Sequence, residues 1–175
     1  VTYTRQELEE LATILIEKKL LVISDDIYEK IIYDGCSFFS IASLAAEMKD
    51  ISVVVNGVSK AYAMTGWRIG YAAGPEEIIS AVTKLQSQNT SNPTSIAQKA
   101  SVEALNGKQD SVTLMVKEFE KRRKVIVSGL SGITGVTCMM PQGAFYVFPD
   151  FSSIYGRSYG GKVINNSTDL TAYLL

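Results

Sequence analysis

The chain contains no histidine. That absence removes Ser-His and Cys-His catalysis and histidine metal sites from this segment, and leaves lysine, carboxylates and tyrosine as proton carriers. Cysteine is scarce, with only Cys36 and Cys138, far apart and without a C-x-x-C spacing. Such usage argues against a zinc site or a disulfide framework and suits a reducing cytoplasm, so no metal is expected and a cytoplasmic location is. No apolar run approaches the ~20 residues needed to cross a bilayer, and no signal peptide opens the chain. Neither G-x-G-x-x-G nor G-x-x-x-x-G-K-[ST] occurs, which disfavours Rossmann and P-loop nucleotide sites. Internal repeats and low-complexity segments are missing too. Charge is nearly balanced at a net -1, giving no electrostatic reason to expect nucleic acid or an anionic membrane as partner.

What is present is a globular composition, with 46% apolar and 20% charged residues. The 175 residues suit one ordinary domain on a rule of roughly 150 residues each. The chain opens without methionine and stops within a helix that Ser167 or Thr168 begins and Asp169 supports, so it is expected to be a piece of a larger polypeptide.

Helical and strand patterns alternate. Thr4 with Glu7 forms a capping box, and Leu8, Leu11, Ala12, Leu15 and Ile16 share one helical face between Thr2 and Lys19, predicting a helix that covers a sheet. Leu20 to Ser24 follows as a short buried strand. Tyr33-Asp34-Gly35 reads as a turn, Cys36 to Ser40 as a loop with Phe38 and Phe39 as core plugs, and Ser40 to Lys49 as a helix. Tyr71 to Gly74 is a further strand, Glu76 to Ser87 a helix entered by Pro75, and Gln86 to Pro93 a polar loop placed to touch substrate or a partner subunit. Thr94 to Leu105 is a helix closed by Asn106-Gly107. Asp110 to Leu130 forms one long helix with Val112, Met115, Val116, Phe119, Val125, Ile126 and Leu130 as its apolar set. Lys121, Arg122, Arg123 and Lys124 are expected on its solvated face. Beyond it, Val136 to Met140 and Ala144 to Phe148 are expected as strands of a second, smaller domain, and Gly156 to Ser167 as loop.

The stretch from Ser52 to Gly74 carries the chemistry. Val53, Val54 and Val55 form an apolar run stopped by Asn56-Gly57, which predicts a strand buried on both faces and ending in a turn. Lys60 follows that turn. In a parallel sheet, the loops leaving the carboxyl ends of the strands form the ligand crevice, which directs this lysine toward a site. Arg68 comes eight residues later, between Trp67 and Ile69. Upstream, the first strand runs into Ser24-Asp25-Asp26-Ile27-Tyr28, so two acids and a tyrosine are expected at the same edge.

A lysine amine that is partly desolvated, or set near another cation, loses its proton more easily and can attack a carbonyl to give a Schiff base. An arginine offers a planar, always charged fork that matches a phosphate monoester. Together they suit an aldehyde that bears a phosphate. Pyridoxal 5'-phosphate is such a molecule, and a carboxylate on its ring nitrogen keeps the ring an electron sink. Taken singly, each residue has a plainer role: Lys60 as an exposed lysine, Asp25 as a cap on the following turn, Tyr28 and Trp67 as packing. Lys60, Arg68 and the Asp25 carboxylate together suit the cofactor.

Ser24 to Tyr28, followed by G-V-S-K-A-Y-A-M-T-G-W-R-I-G over Gly57 to Gly70, resembles the core of class I aminotransferases, pyridoxal-phosphate enzymes of fold type I. Within them it is most similar to the prokaryotic aspartate aminotransferase branch. The likeness extends to Gln88–Pro93 and Pro141–Tyr146. It implies an α/β fold: part of the fold type I large domain, a mostly parallel sheet with flanking helices, over residues 1–109. A connecting helix over 110–130 and the beginning of a smaller α+β domain over 131–175 would follow.

The same resemblance implies roles. Lys60 would hold the cofactor and act as base for the substrate's alpha proton, Asp25 would pair with the pyridinium nitrogen, and Tyr28 would hydrogen-bond the phenolic oxygen. Ser59 and Arg68 would hold the phosphate. The chain departs from the pattern at Gly57, where some members carry a phosphate-binding serine and a glycine offers only its backbone amide. Asp26, commonly glutamate in this branch, is given no catalytic role. The implied reaction moves an amino group between an amino acid, aspartate first, and a 2-oxo acid such as 2-oxoglutarate, in a homodimer. Related aromatic, prephenate or alanine transaminases and a non-catalytic remnant are the alternatives, and the 175 residues alone are expected to be inactive.

Overall fold

The computed structural model describes residues 2–175, with Tyr159 described through its backbone. The chain divides into two compact units: residues up to Val116 with Gln142–Ala144, and Lys117–Pro141 with Phe145–Leu175.

In the first unit, helix α1 (Arg5–Glu17) starts at the expected capping box. The Glu7 amide donates to Thr4 Oγ1 at 3.3 Å and the Thr4 amide to Glu7 Oε2 at 2.7 Å, which satisfies two N-terminal donors reciprocally. These bonds to the carboxylate hold the Glu7 pKa below its ordinary value of 4.5. The inner face of α1 buries Leu8 and Ala12, which join Ile41 and Met48 in a core flanked by Leu15, Ile16, Val22 and Phe39. The helix expected over Ser40 to Lys49 splits into a 3-10 turn at Ile41–Ser43 and the short helix α2 (Ala46–Ile51). Ser43 Oγ donates to the Ser40 carbonyl at 2.7 Å, a local bond that competes with the α-helical ladder.

Strands β1 (Val22–Asp25) and β2 (Ser52–Gly57) pair in parallel, and β3 (Gly70–Ala73) joins β2 antiparallel, in the order β1-β2-β3. Two expectations need correction. The strand does not turn at Asn56-Gly57, because both residues stay in the ladder opposite Tyr71 and Gly70. Burial on both faces also fails: Ile23 is 79% exposed and Val55 37%, and all of β3 is exposed. A run of valines satisfies strand preference whether or not both faces are covered, and here the core of Leu8 and Met48 reaches β1 through Val22.

Helix α3 (Glu76–Asn89) runs two residues past its expected end, so Gln86 to Asn89 are helical rather than loop. Helix α4 (Ser95–Asn106) ends where Gly107 donates to the Glu103 carbonyl at 2.7 Å.

Helix α5 (Asp110–Ser131) belongs to both units. Its buried stripe differs from expectation. Val125 and Ile126 are 73% and 48% exposed, whereas Arg123, assigned to the solvated face, is buried with Val127. Arg123 falls on the helical stripe of Phe119 and Val127, and burial is tolerated because Nη1 donates to the Pro141 carbonyl at 2.7 Å while the fork lies 3.8 Å from the Glu120 carboxylate.

In the second unit, β4 (Thr137–Cys138) pairs antiparallel with β5 (Pro149–Asp150), and β6 (Ser158–Tyr159) with β7 (Lys162–Val163), within the stretch expected as loop. The strand expected over Ala144 to Phe148 is absent, since Ala144 takes a left-handed φ of +59° that strand pairing does not allow. Helix α6 (Ser167–Leu174) is capped by Asn166, whose Oδ1 accepts from the Asp169 amide at 2.9 Å, rather than by Ser167 or Thr168. Among the described residues, no helix is long and apolar enough to cross a membrane.

Two measurements on the intact protein check this packing. Met48→Ala, at a fully buried position, is expected to cost about 2–5 kcal/mol in denaturant unfolding. Because the folded state holds Glu7 below its ordinary pKa, its contribution is present above that value and is lost as pH falls through the folded one. Glu7→Gln is therefore expected to flatten the acid limb of the stability curve, and an unchanged limb would contradict the capping box.

Candidate active site

The strand directions decide what meets what. Parallel pairing puts the carboxyl ends of β1 and β2 on one edge, and the antiparallel β3 begins at that edge with Gly70 opposite Gly57. Asp25 closes β1, Ser59 and Lys60 follow β2, and Arg68 precedes β3, so four of the five predicted residues share the edge. The ladder runs one residue further, with the Asp26 amide donating to the Val55 carbonyl at 2.9 Å. Tyr28 sits in the turn that follows, closed by the Glu29 amide on the Asp26 carbonyl at 2.9 Å.

The loop from Val58 to Ile69 is pinned at its base, where the Val58 amide donates to the Ile69 carbonyl at 3.4 Å. Val58 and Ala61 are buried and Lys60 between them is half-buried, so its neighbours anchor the segment. A turn follows, closed by the Ala63 amide on the Lys60 carbonyl at 3.2 Å. Ala63 and Arg68 both take a φ of +53°, a region that costs non-glycine residues about 1–3 kcal/mol each and collects at functional sites. Arg68 Nη1 donates to the Thr65 carbonyl at 3.0 Å across this bend. Arg68 is otherwise exposed.

Asp25 is exposed and its Oδ1 accepts from the Ile27 amide at 3.3 Å, the turn-capping role that its type favours. Asp26 behaves differently. It is buried and Oδ1 accepts from Ser24 Oγ at 2.6 Å, so this acid holds the strand end together. A cavity of about 370 Å³ opens beside Asp25, Tyr28, Gly143 and Ala144, but Ser59, Lys60 and Arg68 do not line it. Among the described residues no group of acids and cysteines is arranged to hold a metal ion.

Three side chains near this edge escaped the sequence reading. Tyr62, two residues beyond the lysine, has a buried hydroxyl without a partner among the described residues. Burial pushes its pKa up first, followed by the Glu29 carboxylate and Tyr71. Tyr71, although more exposed, is also raised, by partial desolvation of its hydroxyl and then by Glu29. No sequence signal singled the tyrosines out, since tyrosines beside strands are ordinary packing residues. The third is Asn56, which is buried and whose Oδ1 accepts from the Gly57 amide at 2.7 Å. That bond engages the backbone donor which Gly57 had left to offer a phosphate.

A family profile described as aminotransferase class I and II matches residues 1–174. The chain belongs to that family. It is 53% identical over 152 residues to an aspartate aminotransferase of Bacillus sp. strain YM-2, covering 87% of this chain and 39% of that protein. A probable aspartate/prephenate aminotransferase of Rickettsia bellii is 48% identical over 176 residues, covering 99% of this chain and 44% of its own length. The crystal structure of the aspartate aminotransferase from Rhizobium meliloti superposes with a TM-score of 0.93 at 46% identity, over 98% of this chain and 44% of that one. The chain thus spans less than half the length of these aminotransferases, and shares their fold, α/β of fold type I, along that span.

For a class I and II aminotransferase the donor set at this edge is chemically apt. An amine, a guanidinium, a hydroxyl, a carboxylate and a phenol are what a phosphorylated pyridine aldehyde requires. Gly57 is the position where fit is narrowest. A Cβ there would lie 2.8 Å from the Ile69 carbonyl oxygen and 3.2 Å from Gly70 Cα and Ile27 Cδ1, so a serine has no room without moving backbone. Gly57→Ser is accordingly expected to destabilise the intact protein by about 1–3 kcal/mol and to weaken cofactor retention rather than improve it. Thermal unfolding with and without added cofactor checks this, and tighter retention by the serine variant would contradict it.

Proposed function

We propose that the polypeptide to which this chain belongs is a pyridoxal-phosphate-dependent aminotransferase that moves an amino group between aspartate and a 2-oxo acid such as 2-oxoglutarate. The observation that carries this reading is the convergence of Asp25, Ser59, Lys60 and Arg68 on one sheet edge. Similarity to proteins named aspartate aminotransferase supports the choice of substrate. A second reading, activity on prephenate as well as aspartate, is favoured by the likeness to the Rickettsia bellii protein.

When bound, pyridoxal phosphate supplies a carbonyl carbon for amines and a ring that takes up the electron pair left on the substrate's alpha carbon. Lys60 would hold the cofactor, and its Nζ would take the substrate's alpha proton and later give it back, one group serving as base and then acid. Asp25 would keep a proton on the ring nitrogen, since an adjacent carboxylate favours the cationic form. The Tyr28 phenol would donate to the ring oxygen. Ser59 and Arg68 would hold the phosphate, the arginine with the donors of its fork that do not reach Thr65. In this reading residues 1–109 are the second half of the cofactor-binding domain, 110–130 the connecting helix and 131–175 the start of the smaller domain, in a cytoplasmic homodimer.

The test is chemical. Borohydride treatment of the intact protein with pyridoxal phosphate is expected to abolish the cofactor's absorbance and leave a pyridoxyl group on Lys60, read by peptide mass spectrometry. Lys60→Ala is expected to lower kcat with aspartate by on the order of 10³-fold or more. Labelling elsewhere, or a variant of near-normal kcat, would overturn the assignment, while a panel of amino donors separates aspartate from prephenate use.

A further inference from the structure

Residues 142–144 leave the sequence of the second unit and pack in the first, antiparallel to Ile31–Tyr33 with Ile32 opposite Gly143. Three hydrogen bonds fasten this strap. The Tyr33 amide donates to the Gln142 carbonyl at 3.0 Å, the Ala144 amide to the Ile31 carbonyl at 2.8 Å, and the Tyr33 hydroxyl to the Ala144 carbonyl at 2.5 Å. Tyr33 is 3% exposed and Ile31 fully buried, so the anchor side is rigid.

The strap itself is built for close approach. A Cβ at Gly143 would meet Thr2 Oγ1 at 2.5 Å and the Ile31 carbonyl oxygen at 3.1 Å, so only glycine brings the backbones this near. Ala144 takes a φ of +59°, which an alanine does not adopt unless its surroundings impose it. The anchor is also short of slack on its other side. From Ile31 the chain runs back through the Ile31 amide on the Tyr28 carbonyl at 2.8 Å, and then through the Glu29 to Asp26 turn, to Asp25. Asp25, Tyr28, Gly143 and Ala144 line one cavity.

We propose that Tyr33 is a positioning residue for this site: by clamping the 142–144 strap it sets the turn that carries Tyr28, and through it the Asp25 carboxylate. The proposal rests on the aminotransferase reading above. Tyr33 does not line the cavity. Its effect passes along consecutive backbone turns, so it should appear in chemistry that depends on Tyr28 more than in substrate affinity.

The experiment uses the full-length protein with pyridoxal phosphate bound. Tyr33→Phe, which removes one oxygen, is expected to lower kcat about tenfold or more with KM changed far less, as small misplacements of positioned groups do. The pH at which the bound cofactor's visible band changes should move upward, because a displaced Tyr28 phenol no longer supports the deprotonated form. Met48→Leu, a core change away from the strap, is the control and is expected to leave that pH unmoved. Amide exchange in the unmutated protein gives a second arm: adding the cofactor should slow exchange at Tyr33 and Ala144, since coupling between strap and site is reciprocal. A Tyr33→Phe protein with an unmoved pH midpoint, an equal shift in the Met48 control, or cofactor-insensitive exchange at Tyr33 and Ala144 would overturn the proposal alone. An unmutated protein without the cofactor band would overturn the function reading and this proposal with it.

Discussion

The approach of β3 to β2 at the Gly57–Gly70 pair is the constraint on which the site depends. Two glycines facing each other let the backbones close until a Cβ on Gly57 would sit 2.8 Å from the Ile69 carbonyl. That closeness makes the loop between the strands begin and end at one point, with Val58 bonded to Ile69. A loop pinned so tightly has to fold back on itself. The lysine on its outgoing limb and the arginine on its returning limb are therefore held at the same sheet edge, by backbone geometry and not by any attraction between two cations. Parallel pairing with β1 then adds a carboxylate of opposite sign.

Much of this was legible in the residues. Thr4 and Glu7 announce a helix start because a capping box is a local exchange of two bonds, and local chemistry is written in local sequence. The strands at Val22 and Ser52 follow from β-branched runs, and the sharing of an edge by Asp25 and Lys60 follows from a helix-strand alternation that favours parallel pairing. The misreadings have a common physical origin, which is that tertiary partners decide outcomes local pattern leaves open. Asn-Gly is a turn signal in isolation, yet here β3 supplies ladder partners and the Asn56 side chain satisfies the Gly57 amide. Arg123 reads as surface by type, but its place in the helical stripe is decided by the distant Pro141 carbonyl that receives it. Ala144 looks like strand by composition and is left-handed because Ile31 and Tyr33 bind it on both sides. The roles proposed for individual site residues rest on the long lysine-to-arginine pattern, since spacing alone allows each of them a plainer use.

The two adjacent acids show how environment divides one residue type into two tasks. Asp26 is buried, bonded to Ser24, and fixes where β1 ends. Asp25, one position earlier and on the opposite face of the strand, stays exposed with one oxygen engaged by a turn amide. Because successive strand residues alternate faces, the pair cannot exchange roles without shifting the register of β1 against β2. A buried carboxylate beside a hydroxyl gives the strand end rigidity, and that rigidity is what an exposed carboxylate needs if it is to meet a ring nitrogen repeatedly in one place.

Backbone strain follows the same division. Of the five described non-glycine residues with left-handed φ, Lys19 and Asp34 sit at ordinary junctions, one after a helix and one in a turn. The other three, Ala63, Arg68 and Ala144, fall in the lysine loop and the strap. Each costs free energy that regular structure would have spared, so each needs surroundings that over-determine it. Those surroundings are visible as bonds: Ala63 to Lys60, the Arg68 guanidinium to Thr65, and Ala144 to both Ile31 and Tyr33. Relaxing any one of these residues to an ordinary φ would re-aim the chain that follows it. The loop and the strap thus hold their geometry because several weak local bonds each oppose a local strain.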